Sequence, residues 1–113
     1  MKIRRDWKWQ HEDLVAQQAG HRENPATVLL IDDLRLTLDA GQTDELTVIQ
    51  DKDTVFCVSV NRGLGYVGIQ GWDKAGAEVV NVFFSGDDLP TSLGPDWDEV
   101  NALALLRRAS EYL

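Results

Sequence analysis

Three aspartate pairs, two histidines and one cysteine are the groups in this chain whose types and spacing could do chemistry. Asp32-Asp33, Asp51 with Asp53, and Asp87-Asp88 are oxygen donors of the kind that hard cations take. None forms an Asp-x-Asp-x-Asp-Gly loop with a distal Glu, and Lys52 places a cation between Asp51 and Asp53. They read as solvated turn residues that also suit a partner surface, and no metal site is expected. His11 precedes Glu12-Asp13, but no second His follows at helical spacing, so the zinc-helix pattern is absent. Cys57 lies inside the strand-like run from Thr54 to Val60, far in sequence from His11 and His21. It reads as a small buried hydrophobe, and a single cysteine permits no internal disulfide. Gly63-Leu64-Gly65-Tyr66-Val67-Gly68 matches a glycine-rich nucleotide string. It runs into a strand pattern, though, and so offers no helix N-terminus to a phosphate. No Gly-x-Ser-x-Gly, phosphate-loop or Cys-x-x-Cys motif occurs. The residues imply no cofactor and no catalytic set, and the expectation is a protein that is not an enzyme.

The positive signal is charge. Residues 23–99 hold fifteen Asp and Glu against four Lys and Arg, a net of −11, within a chain of net −8. Such a surface repels nucleic acid, attracts cationic partners and speeds their encounter. The basic cluster Lys2, Arg4, Arg5 and Lys8 is offset by Asp6, Glu12 and Asp13. The expected partner is a protein with a basic surface, with no direct nucleic acid and no membrane; the oligomeric state stays open. Most of the four tryptophans should be core or core-edge. Trp72 stands at a strand end beside Asp73, and Trp97 falls off the apolar face of the last helix, so both are candidates for a partner contact. The expected contact residues are Asp51, Asp53, Trp72, Asp87 and Asp88.

These groups need elements to position them. Ile3, Trp7 and Trp9 share one parity, which suggests a short strand over residues 2–10. Gln10 to Ala19 lacks Gly and Pro and ends at Gly20, which predicts a short helix. Asn24-Pro25 marks a turn. Strand patterns follow at 26–31, 34–38, 46–50, 54–61, 65–72 and 78–85. Asp51-Lys52-Asp53 and the stretch from Asp73 to Ala77 suit hairpin connections. From Val79 to Phe84 both parities are apolar, which predicts the centre of a sheet or a strand with one face on a partner. At the end, Ala102, Leu105, Leu106, Ala109, Tyr112 and Leu113 form one helical face, with Asp96 as the expected N-cap.

This succession of strands between two helices implies an α+β fold: a mostly antiparallel sheet of five to six strands with an N-terminal and a C-terminal helix on one face. At 113 residues this is one domain over positions 1–113. No apolar run approaches the ~20 residues that span a bilayer. Met1 to Asp6 is charged with no apolar stretch after it, unlike a secretion signal, so the expected compartment is the cytoplasm.

Three phrases carry a family resemblance: Asn61-Arg62-Gly63-Leu64-Gly65-Tyr66-Val67-Gly68, then Asp88-Leu89-Pro90, then the amphipathic stretch from Trp97 to Leu113. Together with the element order they resemble an immunity-protein family of bacterial polymorphic toxin systems, the α+β family often encoded beside deaminase toxins. Members of that family often continue past the last helix with a Gly-Arg-Arg-Pro-like tail; this chain ends at Tyr112-Leu113. The resemblance implies a non-enzymatic inhibitor that binds a cognate toxin domain and blocks its active site, with no catalytic residues to carry over. An acidic single domain is also compatible with a phage-type anti-CRISPR protein, or another nucleic-acid mimic, that inhibits a host defence complex.

Overall fold

The structure, a computed structural model, describes residues 1–12, 26–38 and 44–111. Its strands are β1 (Lys2–Arg4), β2 (Lys8–Glu12), β3 (Ala26–Ile31), β4 (Leu34–Leu38), β5 (Glu45–Asp51), β6 (Thr54–Asn61), β7 (Tyr66–Trp72) and β8 (Glu78–Ser85). A single 3₁₀ turn, Gly86–Asp88, follows β8, and the helix α1 covers Glu99–Ser110. The class is α+β, as expected, and among the described residues every strand pairing is antiparallel.

Three expectations need correction. The strands form two sheets rather than one: five strands in the order β1-β5-β6-β7-β8, and three in the order β2-β3-β4. The period-two stretch at the N-terminus is accordingly two strands, and the chain crosses between sheets from Arg5 to Trp7. The predicted N-terminal helix is contradicted at its start. Gln10, His11 and Glu12 extend β2, because they pair with Val28, Thr27 and Ala26 of β3. Long-range pairing overrides a local helix signal there. The rest of that stretch, and the Asn24-Pro25 turn, lie outside the described residues.

The larger sheet is covered on both faces over β5, β6 and the Trp72 end of β7, so the fold has three layers where one sheet with helices on one face would give two. On one face Ile49, Phe56, Val58, Val60, Val67 and Ile69 pack against Ala102, Leu105, Leu106 and Ala109 of α1. On the other, Val48, Val55, Cys57 and Trp72 pack against Leu29, Ile31, Leu36 and Leu38 of the smaller sheet. Alternation of side chains along each strand sorts these residues to opposite faces. It also explains why β6 is buried at almost every position. Double-sided burial makes a strand apolar at both parities.

The turns follow from local chemistry. Asp32-Asp33 and Lys52-Asp53 are two-residue connections, with Ile31 paired to Leu34 and Asp51 paired to Thr54. Asp32 and Lys52 sit at φ 52° and 56°, in the left-handed region that tight hairpins require. Asp73 organises the β7–β8 turn, its carboxylate accepting from the backbone N–H groups of Ala75 and Ala77 at 2.9 and 3.0 Å. The helix starts later than expected. Its N-cap is Asp98, which accepts from the Asn101 N–H at 3.2 Å, and Asp96 contributes only its carbonyl, to Asn101 Nδ2. Trp97 precedes the cap and therefore escapes the helical wheel. It turns into the same core as Ala102, three residues past the helix start, in the manner of a hydrophobic staple.

Candidate interaction surface

The five expected contact residues do not form one patch. Asp51 and Asp53 flank the β5–β6 turn, at the end of the sheet where β7 finishes in Trp72. Asp87 and Asp88 follow β8 at the opposite end, about 25 Å away by strand rise. Trp72 is only 3% exposed, its ring held between the two sheets, so it presents no surface to a partner. Its parity decides this: it pairs with Val55, and both point at the smaller sheet. Trp97 is buried too. The bulky rings went to the core, where they bury the most apolar area.

Several acidic side chains carry structural tasks. Arg4 lies 8% exposed between the sheets, and its guanidinium uses every donor. It gives two hydrogen bonds to Asp6 at 2.9 and 2.8 Å, two to Asp32 at 2.9 and 3.2 Å, and one to Gln50 at 3.3 Å. These charge-assisted bonds hold both carboxyls below the usual carboxylate range. Asp44 accepts from the Arg62 N–H at 2.6 Å, and Glu45 pairs with the Arg62 side chain at 2.8 Å. Arg5 pairs with Glu99. Asp51 faces the N-terminal ammonium at 3.8 Å, and Asp88 faces Arg108 at 3.7 Å. Among the described residues no group of His, Cys, Asp and Glu converges closely enough to hold a metal ion.

The other expected chemistry is also placed. Cys57 is fully buried, and desolvation pushes its thiol well above the ordinary range, the opposite of what a nucleophile needs. The glycine-rich string forms the β6–β7 turn and the start of β7, with no helix after it. His11 is on β2, and His21 lies outside the described residues.

What the sequence reading missed is the position of β8. This strand is an edge, paired on one side to β7 and, among the described residues, to nothing on the other. Val80 and Phe84 are buried under α1, with Val82 packed against the same core. The opposite parity, Val79, Asn81, Phe83 and Ser85, is exposed. Phe83 is 54% exposed and Val79 39%. The Phe83 ring lies across Gly68, where a Cβ would come within 2.9 Å of it, and meets Tyr66 edge-on at 5.5 Å. Glu78 stands at one end of the strand, accepting from Gln70 Nε2 at 3.1 Å, and Asp87 and Asp88 stand at the other. Beside that second end an open cleft of about 720 Å³ is lined by Arg62, Gly86, Asp87 and Leu89. The available signal was the doubly apolar run, which fits either a sheet centre or an edge with one face open.

No family model, curated protein or solved structure matches the chain. Among the described residues, no helix is long and apolar enough to cross a membrane.

Proposed function

We propose that this protein is a non-enzymatic, cytoplasmic inhibitor that binds a cognate bacterial toxin domain, as an immunity protein does. The observation that carries the reading is the uncovered outer face of β8, with Phe83 and Val79 exposed between Glu78 and Asp87-Asp88. An exposed aromatic anchor with acidic flanks suits a cationic protein surface. Toxin domains that act on nucleic acids or nucleotides present basic groups to their substrates, and an acidic inhibitor pairs with those groups. The net charge of −8 makes that encounter fast and salt-sensitive. The contact set is therefore revised to Glu78, Val79, Phe83, Asp87 and Asp88.

The test is a tagged pull-down from the native host at low salt, followed by expression of the retained domain with and without this protein. The expected result is one stoichiometric toxin domain whose toxicity is relieved by co-expression. Retention of a CRISPR effector or another nucleic-acid-processing complex would replace the toxin reading with inhibition of a defence complex. Recovery of this chain alone would remove both.

A further inference from the structure

We infer that β8 binds its partner by edge pairing: an extended cationic segment of the partner adds as a sixth strand to the larger sheet. The inference rests on the inhibitor reading above and specifies how that partner is held. An edge strand presents a row of backbone donors and acceptors, and proteins ordinarily blunt it with Lys, Pro, a bulge or a covering element. From Val79 to Ser85 this edge has no Lys and no Pro. Its one irregularity is at Val79, skipped between Glu78 opposite Trp72 and Val80 opposite Gly71; from Val80 to Ser85 the register is unbroken. Phe84 and Val80 anchor it to the core, so the edge is held in pairing geometry before a partner arrives.

Charge selects the occupant. Glu78 lies at one end of the strand and Asp87 at the other, beside the cleft. Arg62, the cation lining that cleft, is already paired to Glu45. A second copy of this chain is disfavoured. Antiparallel self-pairing centred on Val82 sets Glu78 opposite Gly86 of the other copy, next to its Asp87, and symmetry repeats the conflict at the far end. A segment with Lys or Arg at both ends and β-branched residues between removes that repulsion. Its alternate side chains would lie against Phe83 and Val79, and main-chain pairing would supply the rest.

The probe is a synthetic nonapeptide of alternating valine and threonine with two lysines at each end. Its control carries glutamates in place of the lysines. Backbone amide shifts and hydrogen exchange of the full chain are followed at low salt. The expected result is slowed exchange confined to Val79–Ser85, with the lysine peptide bound at least ~10-fold more tightly than its control. That gap should shrink as salt is added. Phe83→Ser should weaken the lysine peptide severalfold while leaving the thermal midpoint in place. Equal binding of both peptides, or no protection of β8 by either, would overturn the inference. So would a homodimer in sedimentation whose β8 amides are protected without peptide. A toxin domain bound with β8 still exchanging freely would overturn edge pairing and leave the inhibitor reading standing. Protection of β8 by the lysine peptide with no toxin domain in the pull-down would do the reverse.

Discussion

Gly68 and Gly71 sit on opposite faces of β7, and the same substitution should have different consequences at each. A Cβ on Gly71 would lie 2.7 Å from Phe56 Cδ1 and 2.8 Å from Val80 Cγ1, inside the packed core. Gly71→Ala should cost about 1–3 kcal/mol, read as a shift of the denaturant midpoint. A Cβ on Gly68 meets only the ring of Phe83, which is half exposed and free to swing outward. Gly68→Ala should cost under about 1 kcal/mol and move the ring off Tyr66, seen as altered Phe83 ring shifts. Phe83 and Phe84 are sequence neighbours on opposite faces of β8. Phe84→Ala removes a buried ring that also lies under Arg108 at 5.0 Å, and should cost about 3–5 kcal/mol. Phe83→Ser should stay within about 0.5 kcal/mol of the parent. Equal losses at the two positions would mean that Phe83 is a core residue. Sequence alone does not separate them, because both lie in one apolar run; the face each takes depends on what covers it.

At the scale of elements, the hairpin strands and their pairing within each hairpin were legible, and the sorting of strands into two sheets was not. Residues 26–31, 34–38, 54–61 and 78–85 are strands with the expected bounds, because turn residues with strong local preferences end them. The apolar face of α1 was legible for the same reason, since Ala102, Leu105, Leu106 and Ala109 recur at helical spacing. Its start was misplaced by two residues, as two aspartates both suit an N-cap and only the chain path chooses between them. Asp98→Ala should therefore destabilise by about 0.5–2 kcal/mol, and Asp96→Ala by a few tenths at most. Thermal unfolding of the two variants checks the assignment, and a larger loss at Asp96 would overturn it. The candidate site was only partly visible. Asp87 and Asp88 flank the proposed surface, Trp72 is buried, and Asp51 and Asp53 lie at the opposite end of the sheet from that surface.

The whole molecule is tied together at Arg4, which joins β1 of the larger sheet to the β3–β4 turn of the smaller one. The bonds from Arg4 lower the Asp6 and Asp32 carboxyls below their unfolded values. On acidification the unfolded chain therefore takes up those protons first. The stability they contribute is complete above the ordinary carboxylate pKa of about 4 and is lost as pH falls through the lower folded values. Arg4→Met should be less stable than the parent at neutral pH, and the gap should narrow as pH drops from about 5 toward 2. Chemical denaturation across that range measures it, and a constant gap would deny the linkage. By itself the sequence determined the α+β class, the hairpin turns, most strand limits, the buried face of the last helix and the acidic character, for these rest on local preference, periodicity and composition. Only the tertiary structure decided that there are two sheets, that Trp72 and Trp97 are core, and that an apolar strand lies at an edge. Those depend on which strands pair and which face is covered, and such contacts join residues far apart in the chain.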